Sequence, residues 1–187
     1  MAIYAAVLDA CVLVPISLAD TLLRTAEKQL YRPIWSDRIL DETRAAIAIV
    51  HPDLDPALID RRIWHMNETF PGARVENFES IEAGLLLPDE DDNHVLATAL
   101  RGRGQAVVTA NIRDFPRDYL DSMDIEAISP DDFLLNQLDL ATRPVLDSIV
   151  EQAQATRSPS RSIEEVLVSI SRAGAPNFAD EVLKRIR

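Results

Sequence analysis

The acids of this chain recur where apolar stretches begin or end. Asp9 interrupts the run "AAVLDACVLV", Glu42 lies inside "RILDETRAAIAIV", Asp89, Glu90, Asp91 and Asp92 open "NHVLATAL", and Asp114 follows "VVTAN". Hard divalent cations such as Mg²⁺ and Mn²⁺ take oxygen ligands and keep several waters beside one or two protein carboxylates. Three or four carboxylates converging from separate segments would hold one or two such ions. A metal held that way activates water and clamps a phosphodiester.

Each acid also has an ordinary role to weigh. Burying an unpaired carboxylate costs several kcal/mol or forces it to protonate, so Asp9, flanked on both sides by core-type residues, reads as functional. Glu42 has Arg38 at i−4 and charged neighbours Asp41 and Arg44, which suits a solvated, ion-paired helix face. The helix dipole favours each first-turn acid by about 0.3–1 kcal/mol, and an N-cap Asp is worth about 1 kcal/mol. Capping and solvent therefore account for Asp89 and Glu90 facing water, with Asp91 or Asp92 as the natural cap. Asp92 has Val95 and Leu96 three and four positions on, which sets it beside the inward face of its helix; it is the nominated ligand and Asp91 its near rival. His94 is either a donor to a ligand or a packing residue, and Asp114 alone would be a loop acid.

The elements that must position these residues alternate in type. Residues 3–8 read as a strand ended by Asp9, and Leu18, Leu22, Leu23 and Ala26 have helical spacing. Ser36 or Asp37 can cap a helix over "RILDETRAAIAIV", and Asp55 can cap the next, with Pro56 at its first turn. "ARVENF" (73–78) reads as a weak strand, "NHVLATALRGRG" as a helix, and "QAVVTAN" and "DIEAIS" as strands. This alternation predicts an α/β domain over 1–130 with a mostly parallel sheet, whose ligands bind at the carboxyl ends of the strands. Asp9 and Asn111–Asp114 both fall at such ends. From residue 131 onward the pattern is helical only, with four segments ending at 187, a capping box at Ser162 and Glu165, Gly174 as a C-cap and a linker at 156–161. This appendage is expected to pack partly on the main domain and partly on a partner.

Composition bounds the rest. The 187 residues are 47% hydrophobic, which supports one globular domain plus a small appendage. The apolar N-terminus lacks a basic leader, the apolar runs are short of a membrane span, and the single cysteine, Cys11, excludes an internal disulfide. A cytoplasmic protein is expected. The net charge of −12 argues against generic nucleic-acid binding unless the acids gather round a cation and invert the local field.

Taken in order, "VLDACVLVP", "WSDRILDETR", "PDEDDNHVLATAL" and "AVVTANIRDFP" resemble the PIN-domain ribonucleases, and among them the VapC toxins of bacterial toxin–antitoxin pairs, over about residues 1–130. The resemblance implies a PIN-like fold and a metal-ligand set of Asp9, Glu42, Asp92 and a fourth acid. In the family that fourth acid commonly follows a T-x motif. Here Asn111 stands in that place, so Asp114 or Asn111 supplies the ligand. Cys11, where the family often has a small polar residue, reads as packing. The resemblance further implies Mg²⁺- or Mn²⁺-dependent cleavage of transfer or ribosomal RNA, a cognate antitoxin and a homodimer. Residues 131–187 resemble the helical C-terminal domain of a longer VapC-like subgroup. Arg24, Ser36, Arg38, Asn111, Arg113 and Arg117 are candidate RNA contacts, while Trp35 reads as a buried anchor rather than a base-stacking platform. An aspartyl-phosphate mechanism is disfavoured because Cys11 stands where that chemistry places a second aspartate. A non-catalytic PIN-like scaffold that binds RNA or protein is the alternative, and Asn111 is the feature that favours it.

Overall fold

The computed structural model describes residues 4–155 and 161–186. Its centre is a four-stranded sheet of order β2-β1-β3-β4, formed by β1 (Ala5–Leu8), β2 (Arg32–Ile34), β3 (Ala106–Val108) and β4 (Glu126–Ile128). All three pairings are parallel, with Val7 opposite Ile34 on one side and Val107 on the other. Ala5–Leu8 and Ala106–Val108 are fully buried, as expected of central strands covered on both faces by helices. The chain leaves β1 for β2 on one side and reaches β3 on the other. The strand order thus reverses between the carboxyl ends of β1 and β3, the usual place for a ligand crevice.

Helices α1 (Ala10–Leu13), α2 (Ile16–Glu27), α3 (Asp37–Val50), α4 (Pro56–Thr69), α5 (Glu79–Glu82), α6 (Asn93–Gly102) and α7 (Arg117–Asp121) surround the sheet. Their starts follow local chemistry. Ser36 caps α3 by accepting from Ile39 N, and Asp55 caps α4 by accepting from Ala57 N, with Pro56 at the first helical position. The segment 73–78 departs from expectation, since it forms no strand. Arg74 makes a single parallel bridge to Trp35, and Asn77 then adopts φ 59°, a left-handed conformation that turns the chain away from the sheet edge.

The C-terminal part holds the four expected helices, α8 (Pro130–Leu140), α9 (Thr142–Ala155), α10 (Ile163–Arg172) and α11 (Pro176–Ile186). The capping box is realised in both directions, from Ser162 Oγ to Glu165 N and from Glu165 Oε2 to Ser162 N. Gly174 sits at φ 110°, just past the end of α10. The expected linker lies, apart from Arg161, outside the described residues. These helices dock on the sheet domain: α9 and α10 both pack on α2, and Tyr31 meets Phe133 edge-on at 4.8 Å. Gln152 fixes the register by donating to Ser17 O and accepting from Thr21 Oγ1, at 2.9 and 2.8 Å. No helix among the described residues is long and apolar enough to cross a membrane.

Candidate active site

Asp9 lies at the turn from β1 into α1, 5% exposed, and hydrogen bonds to both oxygens orient its carboxylate. Oδ1 accepts from Ala10 N at 2.6 Å, so Asp9 caps α1. Oδ2 accepts from Thr109 Oγ1 at 2.7 Å and from the Cys11 thiol at 3.1 Å. Thr109 follows β3 and in turn accepts from Asn111 N at 3.0 Å, which ties the ends of the two central strands together. Nothing local marks Thr109 beyond its place in "TAN". Cys11 serves as more than packing: it donates to Asp9 and accepts from Ala110 N at 3.3 Å. Burial, followed by the Asp9 charge, pushes its thiol up to about 12, so it stays a neutral donor.

The run 89–92 resolves differently from its sequence reading. Glu90–Asp92 form a 3₁₀ turn ahead of α6, and Asp89 caps that turn by accepting from Asp91 N at 3.0 Å. The helical element thus starts three residues earlier than the apolar pattern indicates, so capping falls to Asp89 and not to Asp91 or Asp92. Asp92 sits at the N-cap position of α6 but makes no capping bond, and its carboxylate is left for other contacts. Partial burial raises its pKa from 3.8 to about 6. The negative charges of Asp9, Asp89 and Asp114 add to that shift, and His94 opposes it. Asp91 is exposed.

Glu42 and His94 form a second group beside the first. Glu42 Oε1 lies 2.9 Å from His94 Nε2 and 3.5 Å from Arg38 Nε. Arg38 also pairs with Glu82 at 2.6 Å. His94 is almost fully buried and its Nδ1 has no hydrogen-bond partner. Asp114, half-buried, closes a short 3₁₀ turn after β3 and is close enough to Asp92 to raise its pKa. Asn111 is exposed at the start of the same turn.

The remaining residues singled out in the sequence are dispersed. Ser36 is fully buried as the cap of α3, and Trp35, also buried, donates from Nε1 to Asn67 Oδ1 at 2.9 Å. Arg113 is exposed with no partner among the described residues, and Arg117 pairs loosely with Asp121 at 3.6 Å. Arg24 pairs with Asp20 at 3.0 Å on α2.

Among the described residues, no three His, Cys, Asp or Glu side chains stand as a ready-made cation cage. The donor chemistry nevertheless fits a hard divalent cation. Asp9, Asp92 and Asp114 offer oxygen alone, and the charges around Asp92 are like charges that a cation would compensate.

The PIN domain family profile matches residues 5–113, and that of the VapC50 C-terminal domain matches residues 130–184. A Mycobacterium tuberculosis (strain H37Rv) protein named "Putative ribonuclease VapC50" is 49% identical over 63 residues, which cover 32% of this chain and 37% of that protein. The match therefore spans little more than a third of that relative's length. No solved structure matches.

Proposed function

This chain belongs to the PIN-domain family, and from that premise we propose that it is a Mg²⁺- or Mn²⁺-dependent endoribonuclease, the toxin of a toxin–antitoxin pair. The observation that carries the reading is Asp92. It is a helix-start carboxylate left free of capping duty, and its pKa is raised first by burial and then by like-charged Asp9, Asp89 and Asp114 from separate segments. Asp9, Asp92 and Asp114 would hold the ion, with Glu42 as a ligand from the neighbouring group. The ion, when bound, supplies Lewis acidity toward water and a phosphate oxygen.

The chain's own residues do the positioning. Thr109, Cys11 and Ala10 N fix the Asp9 carboxylate by three hydrogen bonds. His94 and Arg38 hold Glu42, and Arg38 also anchors to Glu82. Asp114, whose charge acts on Asp92, is the better candidate for the fourth ligand than exposed Asn111, which with Arg113 would face RNA. The reading carries with it a cytoplasmic location, a cognate antitoxin and a homodimer, and it makes 1–130 the nuclease domain and 131–187 the extension.

Purified protein is expected to cut single-stranded RNA in Mn²⁺ and not in EDTA. Asp9→Asn and Asp92→Asn should each lower the rate at least about 100-fold, the loss expected when charge stabilisation worth about 3 kcal/mol is removed. Asp114→Asn should weaken metal dependence more than Asn111→Ala. Equal cutting by Asp9→Asn would trace the activity to a contaminant. RNA binding with no cutting by wild type would favour the scaffold reading, in which Asn111 reflects a lost ligand.

A further inference from the structure

A cleft of about 660 Å³ opens between α2 and α4 and is lined also by C-terminal residues, among them Gln152, Arg161 and Val166. Its floor is apolar, with Leu23, Met66 and Phe70, and its charged lining is four arginines, Arg24, Arg61, Arg62 and Arg161, against Asp20 and Glu27. That balance is the reverse of the whole chain, whose net charge is −12. Arg24 is ion-paired with Asp20. Arg61 contacts His65 at 3.4 Å, Arg161 donates to Glu165 O at 3.0 Å and to Ser169 Oγ, and Arg62 donates to Leu13 O and Val14 O. Among the described residues, Arg61 and Arg161 thus line the cleft without an ion pair, and Arg62 shares the Asp20 charge with Arg24.

None of the site's acids lines the cleft, but helix α1 links the two. Asp9 caps the start of α1, and Arg62 binds the carbonyls at its end. At 1.5 Å per residue, that four-residue helix separates the two by roughly 6 Å along its axis, about one nucleotide of an extended strand. A ligand with a repeating negative charge that starts at the acids and continues into the arginines is a nucleic-acid backbone. Arginine suits this use, because its fork matches phosphate and its plane stacks on bases.

We infer that the helical extension and α4 together form a binding cleft for the single-stranded RNA that flanks the cleaved bond, with Arg61, Arg62 and Arg161 on its phosphates. The extension then supplies one wall of the substrate site. The inference rests on the ribonuclease reading, so its test must separate the two.

A fluorescent oligoribonucleotide would be titrated into the full-length Asp9→Asn chain in Mg²⁺, at several salt concentrations, beside the same chain carrying Arg61→Ala and Arg161→Ala. Both arginines lie away from the core, and Arg62 is left intact because it also secures α1. The double change should weaken binding about tenfold and lower the salt slope by about 1.4, two single-strand phosphate contacts. Lysine at both positions should restore most of the affinity. In parallel, 4-thiouridine in the oligonucleotide should cross-link to α4 and to residues 161–166. Unchanged affinity and salt slope in the alanine variant, while the wild type cuts the same RNA, would overturn the cleft alone. Binding through the arginines by a wild type that cuts nothing would overturn the ribonuclease reading and leave the cleft standing. A glutamate-rich peptide that needs the arginines, when RNA does not, would reassign the cleft to a protein partner.

Discussion

The two ends of this molecule treat polar groups in opposite ways. In the C-terminal helices they are matched for stability. Asp131 on α8 reaches across to the start of α11, accepting from Phe178 N at 2.8 Å and from the backbone and side-chain nitrogens of Asn177 at 3.2 and 2.8 Å. Ala175, just before α11, has no side chain able to cap, so a residue distant in sequence does it. At the strand ends, by contrast, Asp92 leaves its helix uncapped, like charges crowd it, and His94 Nδ1 is buried without a partner. Polar groups left in mutual tension are a mark of a site maintained for chemistry rather than for folding.

The sharpest way to break the comparison is to remove Asp131. Asp131→Ala strips the acceptor from two backbone N–H groups at a buried helix start, and each unsatisfied group costs about 1–3 kcal/mol. The expected loss is about 2–3 kcal/mol of stability, read as a lower midpoint in urea with an unchanged slope. Asn at the same position keeps an acceptor and should recover about half. A loss under about 0.5 kcal/mol for the alanine variant would mean the helical end is not the stabilising partner described here.

Ser162→Ala is the smaller test at that end. It removes one arm of the capping box on α10 and should cost about 1 kcal/mol. This cap was legible in the sequence and the Asp131 cap was not, and the reason is physical. A capping box is written within four residues, whereas Asp131 and Phe178 meet only once α8 and α11 pack. The same division runs through the site. Asp9 could be read from its apolar flanks, and the α/β order from periodicity. Thr109 on Asp9 and His94 on Glu42 join separate segments, and no local pattern encodes them. The strand expected at 73–78 failed for a related cause. One bridge to Trp35 satisfies that edge, and the left-handed Asn77 then ends the pairing.

At the acid end the sign of the effect should reverse, and Asp92→Asn tests this. The folded pKa of Asp92 is about 6, raised from 3.8, so between those values the folded chain holds a proton that the unfolded chain has released. The stability tied to that proton is fully present below about pH 4 and is lost as pH rises through 6. Asparagine cannot ionise and escapes the loss. Because Asp92 is only half-buried, screening reduces the effect to about 1 kcal/mol, or a Tm about 2–4 °C higher for the variant at pH 7.5 in EDTA. The difference should vanish at pH 4. Saturating Mn²⁺ should invert it, since at 100 times Kd the ion stabilises the wild type by about 2.7 kcal/mol and the variant by less. Metal affinity of the wild type should itself fall as pH drops below 6, because the proton competes with the ion for Asp92. A lower Tm for Asp92→Asn at pH 7.5 without metal would show that this carboxylate supports the fold by contacts of its own, and the contrast between the two ends would collapse at its central residue.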